Sequence, residues 1–399
     1  MTSKRNDVID EARALNHLMD LLRVPGLSRQ ERKVARAVSR KLRDAGCKAG
    51  WISYDDARLR VEGELEVGNL IVQLPGTVPG PRLLFIGHLD TVPLCRGAVP
   101  VRRGNRIVSA GNTGLGADNR TAVACLVTLA ETLLSGDIPH PPITLLFAVA
   151  EEIGLHGSKA VRKSDLGNPK MGFNIDSGPP ADYITAALGA YRWTADIQGI
   201  SSHAGVHPED GISAILIAAR AIRDIGHRGY FGKVQKGRNR GTSNVGMIEG
   251  GEASNQVTDK VRVTGECRSH DPEFLEAILK VYRDAFEHAA ASVKNSASKA
   301  GRVKFKAHKD YDAFVLDRQD PVVKYAIQVA EKIGMKPTCR DVNGGLDANA
   351  LNRKGIPTIT FGAGQHSPHT VEEHVDIQEY LDGCRLAVEL ARSTGVRSV

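Results

Sequence analysis

The run Ile-Thr-Leu-Leu-Phe-Ala-Val-Ala at residues 143–150 is apolar at almost every position. A strand with one wet face alternates polar and apolar residues, so a short run without alternation reads as a strand buried on both faces. Three more short apolar runs, at 69–74, 82–87 and 172–175, have the same character. Residues 119–134 read as a helix between the runs at 82–87 and 143–150, which sets the order strand, helix, strand. Right-handed crossovers then lay the strands parallel with helices over the faces. The fold class that follows is α/β: a mixed, largely parallel sheet flanked by helices.

With 399 residues the chain exceeds one ordinary core and fits two domains. Upstream of the sheet, Val8, Ala12, Leu15, Met19 and Leu22 fall at helical spacing. Ser28 with Glu31 reads as a capping box for a second helix that carries Val34, Val38 and Leu42 and stops near Gly46. The pattern changes near Tyr191. Strand signals at 191–199, 242–247, 260–268 and 303–307 interleave with helices at 211–225 and 272–293, which is the βαββαβ order of a ferredoxin-like α+β sandwich. After Asp312 the larger pattern resumes, with helices at 321–333, 348–353 and 376–392 and a strand at 358–361. The expected domains are therefore 1–189 with 312–399, discontinuous, and an inserted domain at 190–311.

Composition excludes several function classes. With 41% apolar and 25% charged residues and no apolar run near the roughly 20 residues that span a bilayer, neither a membrane partner nor a spanning segment is expected. The charged residues 1–10 lack the apolar core of a secretory signal, so the expected location is cytoplasmic. Six cysteines occur without any CxxC pair, which argues against a disulfide framework and a thiolate metal site. The formal charge of +7 is locally concentrated at 236–240 and 299–309. Neither segment is a long block or interleaves with aromatic residues, so no nucleic-acid partner is expected.

Chemistry gathers at the strand ends, where open α/β sheets build their sites. His88 and Asp90 close one strand, Glu151 and Glu152 another, and Asp176 a third. Asp118 opens a helix after the glycine-rich stretch 111–116, and His369 lies in a loop after the last predicted strand. Imidazole and carboxylate are zinc ligands, and a carboxylate can bridge two metals that share a water, a recurring device of aminopeptidases. Asp118 is the candidate bridge. His88 and Asp90, two apart on an extended strand, leave the same face, so Asp90 is expected to hydrogen-bond the ring nitrogen that His88 does not give to metal. Adjacent Glu151 and Glu152 point differently; Glu152 is assigned as a ligand and Glu151 as the base that takes a proton from the bridging water.

At these residues the chain resembles the dizinc metallopeptidase family that includes peptidase T, carboxypeptidase G and acetylornithine deacetylase. The matching motifs are Gly87-His88-Leu89-Asp90-Thr91-Val92-Pro93, Leu115-Gly116-Ala117-Asp118-Asn119-Arg120, Ala150-Glu151-Glu152-Ile153-Gly154 and Ile175-Asp176-Ser177-Gly178, with His369 four residues before Glu373. The resemblance implies a dizinc exopeptidase-like catalytic domain in which His88, Asp118 and Asp176 hold one zinc and Asp118, Glu152 and His369 the other, with Co2+ or Mn2+ as possible occupants. It extends to the inserted domain through Gly199-Ile200-Ser201-Ser202-His203-Ala204-Gly205, Ala253-Ser254-Asn255 and Gly265-Glu266-Cys267-Arg268. There it implies a lid that mediates a homodimer, a catalytic role for His203 at the oxyanion, and substrate contacts from Asn255 and Arg268. Where the family's peptidase T pattern places an arginine before a Gly-Gly-x-Asp loop, this chain reads Asn343-Gly344-Gly345-Leu346-Asp347, so a charged anchor is missing, although the Gly345 backbone can still shape the pocket. The expected activity is peptidase T-like aminopeptidase cleavage of short peptides. The alternative is a deacylase or other amidohydrolase, or a carboxypeptidase, acting on N-acyl amino acids or dipeptides.

Overall fold

A computed structural model describes residues 8–136 and 138–392. The chain divides into two compact units, one built from residues through Ala186 together with those from Val315 onward, the other from Ala187–Phe314.

In the first unit seven strands of the main sheet lie side by side in the order Ile52–Tyr54, Leu70–Leu74, Ile143–Ala148, Leu83–His88, Met171–Ile175, Thr358–Phe361 and Asp182–Ala187, and Thr338–Val342 also pairs with Asp182–Ala187. The middle of the sheet is parallel: Leu83–His88 pairs in that sense with both Ile143–Ala148 and Met171–Ile175, and Thr358–Phe361 with Met171–Ile175. Antiparallel pairs flank this block at Leu70–Leu74 and at Asp182–Ala187. Every side chain of Leu83–His88 and Ile143–Ala148 is buried, as their unbroken apolar runs require. The period of two sorts them onto two faces. Leu83, Phe85, Leu145 and Phe147 enter the main core, whereas Leu84, Ile86 and Leu146 meet Val161, Leu166, Leu351 and Ile356 on the other side. Each such residue contributes about 1.5–3 kcal/mol by leaving water.

Helix Ala117–Ser135 is buried over most of its length and packs against helices Glu11–Leu22 and Ile377–Arg392. Gly87 permits the approach that matters for the site. A Cβ there would sit 2.5 Å from the Cβ of Ala122, so only glycine lets the strand ending at His88 lie against the helix that starts beside Asp118.

The capping box expected at Ser28 and Glu31 does not form. Glu31, the residue before helix Arg32–Asp44, makes no side-chain cap, and the amide of Arg32 donates to Glu66 Oε2 at 3.1 Å. Ser28 instead donates to Asp90 at 2.7 Å, and Glu31 turns inward to accept from Arg29 N at 2.7 Å and Ala150 N at 3.0 Å. A small four-stranded sheet of Gln365–His366, His374–Asp376, Arg106–Ser109 and Pro100–Arg103 also lay outside the sequence expectation, because its strands are too short and polar to show alternation.

In the second unit five strands run in the order Gly232–Lys236, Asn239–Gly250, Lys260–Ser269, Gly189–Gln198 and Arg302–Tyr311, antiparallel throughout. Helices Ala214–His227 and Pro272–Ser292 supply a core in which Trp193 contacts Tyr282, Phe286 and Phe305. Four of the strands and both helices make the α+β sandwich. The additional strand, Gly232–Lys236, buries only Val234 and so carries no periodic signal. Among the described residues no helix is long and apolar enough to cross a membrane.

Candidate active site

Three adjacent parallel strands deliver their C-terminal ends to one place. His88 is the last residue of its strand, Asp176 follows Met171–Ile175, and the pair Glu151-Glu152 follows Ile143–Ala148 after a two-residue turn. Asp118 joins them from the start of helix Ala117–Ser135, where its φ and ψ are non-helical and its peptide bond to Asn119 is cis. His369 arrives from the loop between Gln365–His366 and His374–Asp376, at φ +64°.

The side chains converge. His88 Nε2 is 3.1 Å from Asp118 Oδ1 and 3.9 Å from Glu151 Oε2. His369 Nε2 lies 2.9 Å from Glu152 Oε2 and 3.6 Å from Asp118 Oδ2. Ligand atoms of His88, Asp118 and Glu152 all fall within 4.8 Å of one another. Asp176 Oδ1 accepts from Asn119 Nδ2 at 2.8 Å and Gln365 Nε2 at 3.2 Å, which holds the carboxylate on the helix that carries Asp118.

The ring of His88 is oriented differently from the expectation. Its Nδ1 donates to the backbone carbonyl of Asp90 at 3.0 Å, and the nearer carboxylate oxygen of Asp90 is 3.4 Å away. Nδ1 is thereby fixed as a donor to the backbone and Nε2 is turned to the cluster, so the ring is oriented as a ligand needs. The Asp90 carboxylate is spent on the neighbouring turn. It accepts from Glu151 N at 3.0 Å, Glu152 N at 3.2 Å and Ser28 Oγ at 2.7 Å. With Glu31 on Ala150 N, three successive amides of that turn are held by buried carboxylates, including the one at Ala150, where φ is +52°.

Packing this many acids out of water has electrostatic consequences. Burial, with the negative charges of Asp176, Asp347 and Glu152 adding to it and His88 opposing, pushes Glu151 well above the usual carboxylate range. Burial and then the charge of Asp118 do the same to Asp176, and burial raises Glu152. Burial disfavours the charged form of His88, but the surrounding carboxylates, Glu151 foremost, outweigh it and hold the imidazole well above its ordinary value. The hydrogen bond to Glu152 lifts His369 to about 9. Burial lifts Asp347 to about 6. The cluster is short of positive charge. Two imidazoles and several hydrogen-bonded carboxylates around one point are the donor set that divalent cations satisfy, so the residues fit a metal centre.

Periodicity missed several buried groups. The spacing of Glu31 suggests a cap, Gln365 carries no local signal, and Asn119 and Asp347 stand in the motifs without a sign that they are buried. Glu373, 1% exposed, accepts from the backbone amides of Leu115, Gly116 and Asp118 at 2.6, 2.7 and 3.0 Å. Its position in the motif after His369 was the available clue. Gly345 lies in the loop between strand Thr338–Val342 and helix Asp347–Arg353.

The remaining candidates belong to the second unit. His203 is exposed, and its Nδ1 accepts from Gly205 N at 3.1 Å, which leaves Nε2 as the donor of the neutral ring. Asn255 is exposed, and its backbone carbonyl accepts from Ala204 N at 2.9 Å. Arg268 is held in a two-pronged pair by Glu266, at 2.8 and 2.9 Å, an engagement that sequence spacing did not suggest.

Imidazoles and carboxylates gathered at the C-terminal ends of parallel strands, with the buried carboxyl group of Glu151 beside them, are the donor set of a metal-dependent hydrolase of amide bonds. Residues 84–393 match peptidase family M20/M25/M40, and the chain belongs to that family. It is 32% identical to protein YqjE of Bacillus subtilis over 96% of this chain and 98% of that one. It is 24% identical to peptidase T of Vibrio cholerae over 82% of this chain and 86% of the relative. Among solved structures, aminopeptidase PepT from Bacillus cereus superposes with a TM-score of 0.84 at 33% identity, covering 96% of this chain and 99% of the other. A tripeptidase from Staphylococcus aureus gives 0.86 at 28%, covering 96% and 98%.

Proposed function

We propose that this peptidase is an aminopeptidase of the peptidase T kind, releasing N-terminal residues from short peptides with a pair of zinc ions. The observation that carries the reading is the meeting of His88 with Asp118 and of His369 with Glu152 and Asp118, two donor groups that share one carboxylate. His88, Asp118 and Asp176 would hold one ion and Asp118, Glu152 and His369 the other, with cobalt or manganese able to use the same donors. Such a pair, when bound, polarises the scissile carbonyl and acidifies water.

The chain's own residues do the rest. Glu151, buried and with its pKa raised by that burial, can take a proton from the attacking water and return it to the leaving amine. Asp90 keeps Glu151 and Glu152 pointed apart by holding both their amides. His203, with Nε2 as donor, is assigned to the developing oxyanion. Asn255 and Arg268 are assigned to the substrate, where a substrate carboxylate would share the Arg268 guanidinium with Glu266. The backbone at Gly345 is assigned to the pocket wall.

The second unit would act as lid and dimer interface in a cytoplasmic homodimer. Strand Asn239–Gly250 is paired by Gly232–Lys236 only through Ser243, so beyond that point its edge is open and carries exposed Met247 and Ile248. Exposed Ile215 lies beside it, 3.8 Å from where a Cβ on Gly251 would sit.

The test is hydrolysis of a panel of di- and tripeptides and N-acyl amino acids by zinc-loaded protein, with a chelated control. Chelator-sensitive release of N-terminal residues supports the proposal. Turnover of acylated substrates alone makes the protein a deacylase, and release of C-terminal residues a carboxypeptidase.

A further inference from the structure

We propose that Glu373 is a positioning residue for the metal pair, its carboxylate setting the spacing between the loop that carries Asp118 and the loop that carries His369. The inference rests on the metal reading of the site given above. Glu373 follows His369 by four residues in the same loop, and its own amide donates to Thr370 O at 3.3 Å, which closes the turn between them. Its side chain crosses to the other loop. Oε2 accepts from Leu115 N and Gly116 N, Oε1 accepts from Asp118 N, and Cys95 Sγ approaches Oε2 at 3.6 Å. The residue is thus covalently part of one ligand loop and hydrogen-bonded to the backbone of the other, including the amide of Asp118 itself.

The packing is as tight as the chain allows. A Cβ on Gly114 would lie 2.9 Å from Cys95 Sγ, 3.1 Å from Glu373 Oε2 and 3.4 Å from Thr370 O, so the two loops meet with no room for a methyl group. A carboxylate suits this role because both oxygens accept. A glutamine in the same place presents one oxygen and one NH2, and the NH2 faces backbone N–H groups, so at least one of the three amides loses its partner. The change propagates to the distance between Asp118 Oδ2 and His369 Nε2, now 3.6 Å, which is the bite available to the ion they share with Glu152.

The test is titration of chelated wild type, Glu373→Gln and Gly114→Ala with Co2+, followed by the visible absorption of the bound ion and by activity. Gly114→Ala leaves every charge in place and pries the loops apart by size alone. Wild type is expected to bind two equivalents. Both variants are expected to bind the first as wild type does and the second about 10–100-fold more weakly, with an altered cobalt spectrum and a lower kcat at a KM within about threefold of the parent. Variants that melt cooperatively yet bind both equivalents with wild-type affinity and spectrum overturn the inference. Should Glu373→Gln fail to fold, Gly114→Ala decides by the same criterion. A wild type that binds fewer than two ions sinks the metal reading itself, and this inference with it; a wild type that binds two alongside undisturbed variants sinks only this inference.

Discussion

Replacing Glu31 with glutamine is expected to stabilise the protein at neutral and alkaline pH and to leave it unchanged in acid. Glu31 is fully buried, and its Oε1 takes both available N–H groups while its Oε2 has no hydrogen-bond partner. Burial, and then repulsion from Asp90, raises its pKa from 4.5 to about 7. The unfolded chain ionises near the lower value. Below it the acid is protonated in both states and costs nothing. Between the two values the folded chain keeps a proton that the unfolded chain releases, so stability falls as pH rises, and above about 7 the whole cost is present. At 1.36 kcal/mol per unit the cost is about 3 kcal/mol. Glutamine keeps the one oxygen that accepts both amides and carries no charge beside Asp90. The assay is urea unfolding of chelated protein between pH 5 and 8. The chain's two tryptophans, Trp51 and Trp193, lie in different units, so in a Trp193→Phe background fluorescence reports on the unit that holds Glu31. An advantage for Glu31→Gln that grows with pH to about 3 kcal/mol supports the reasoning. A difference that does not vary with pH, or a less stable variant at pH 8, refutes it.

Glu151→Gln is expected to lower kcat by roughly 10²–10⁴-fold while metal content, read by atomic absorption, stays at the parent level; near-parental turnover would remove Glu151 as the base. Asp90→Ala leaves the buried amides of Glu151 and Glu152 without an acceptor and is expected to cost about 3–5 kcal/mol in urea unfolding, whereas Ser28→Ala, which removes one hydrogen bond to the same carboxylate, costs about 1 kcal/mol. Equal effects of the two would mean that the turn is held by something else. Ile248→Lys charges the open strand edge and is expected to convert a dimer to monomer in sedimentation without changing the melting of the second unit; an unaltered mass would place any dimer contact elsewhere.

What could be read from the sequence and what could not divide along physical lines. The strands at Leu83–His88 and Ile143–Ala148 were visible because burial on both faces forces unbroken apolar runs, and once they were placed, His88, Asp90, Glu151 and Glu152 stood out as polar residues where such runs stop. The groups that hold them could not be seen the same way. Ser28 and Glu31 have the spacing of a capping box, and local spacing alone favours that use. The competitor was Ala150 N, 119 residues away, which donates to Glu31 from a turn at positive φ. Glu373 likewise finds its amides more than 250 residues upstream, in a partnership that only the folded chain creates. Strand Gly232–Lys236 gives no periodic signal because Val234 is its one buried residue, and the pairing of Arg268 with Glu266 depends on side-chain conformers that spacing does not specify.

The most direct measurement is metal titration of the chelated protein against turnover. Chelation is expected to abolish peptide hydrolysis, Zn2+ to restore it in step with occupancy and reach full activity at two equivalents, and Glu151→Gln to take up the same two equivalents without turnover. Undiminished hydrolysis by fully chelated protein, or full activity with His88 and His369 both replaced by alanine, would contradict the account.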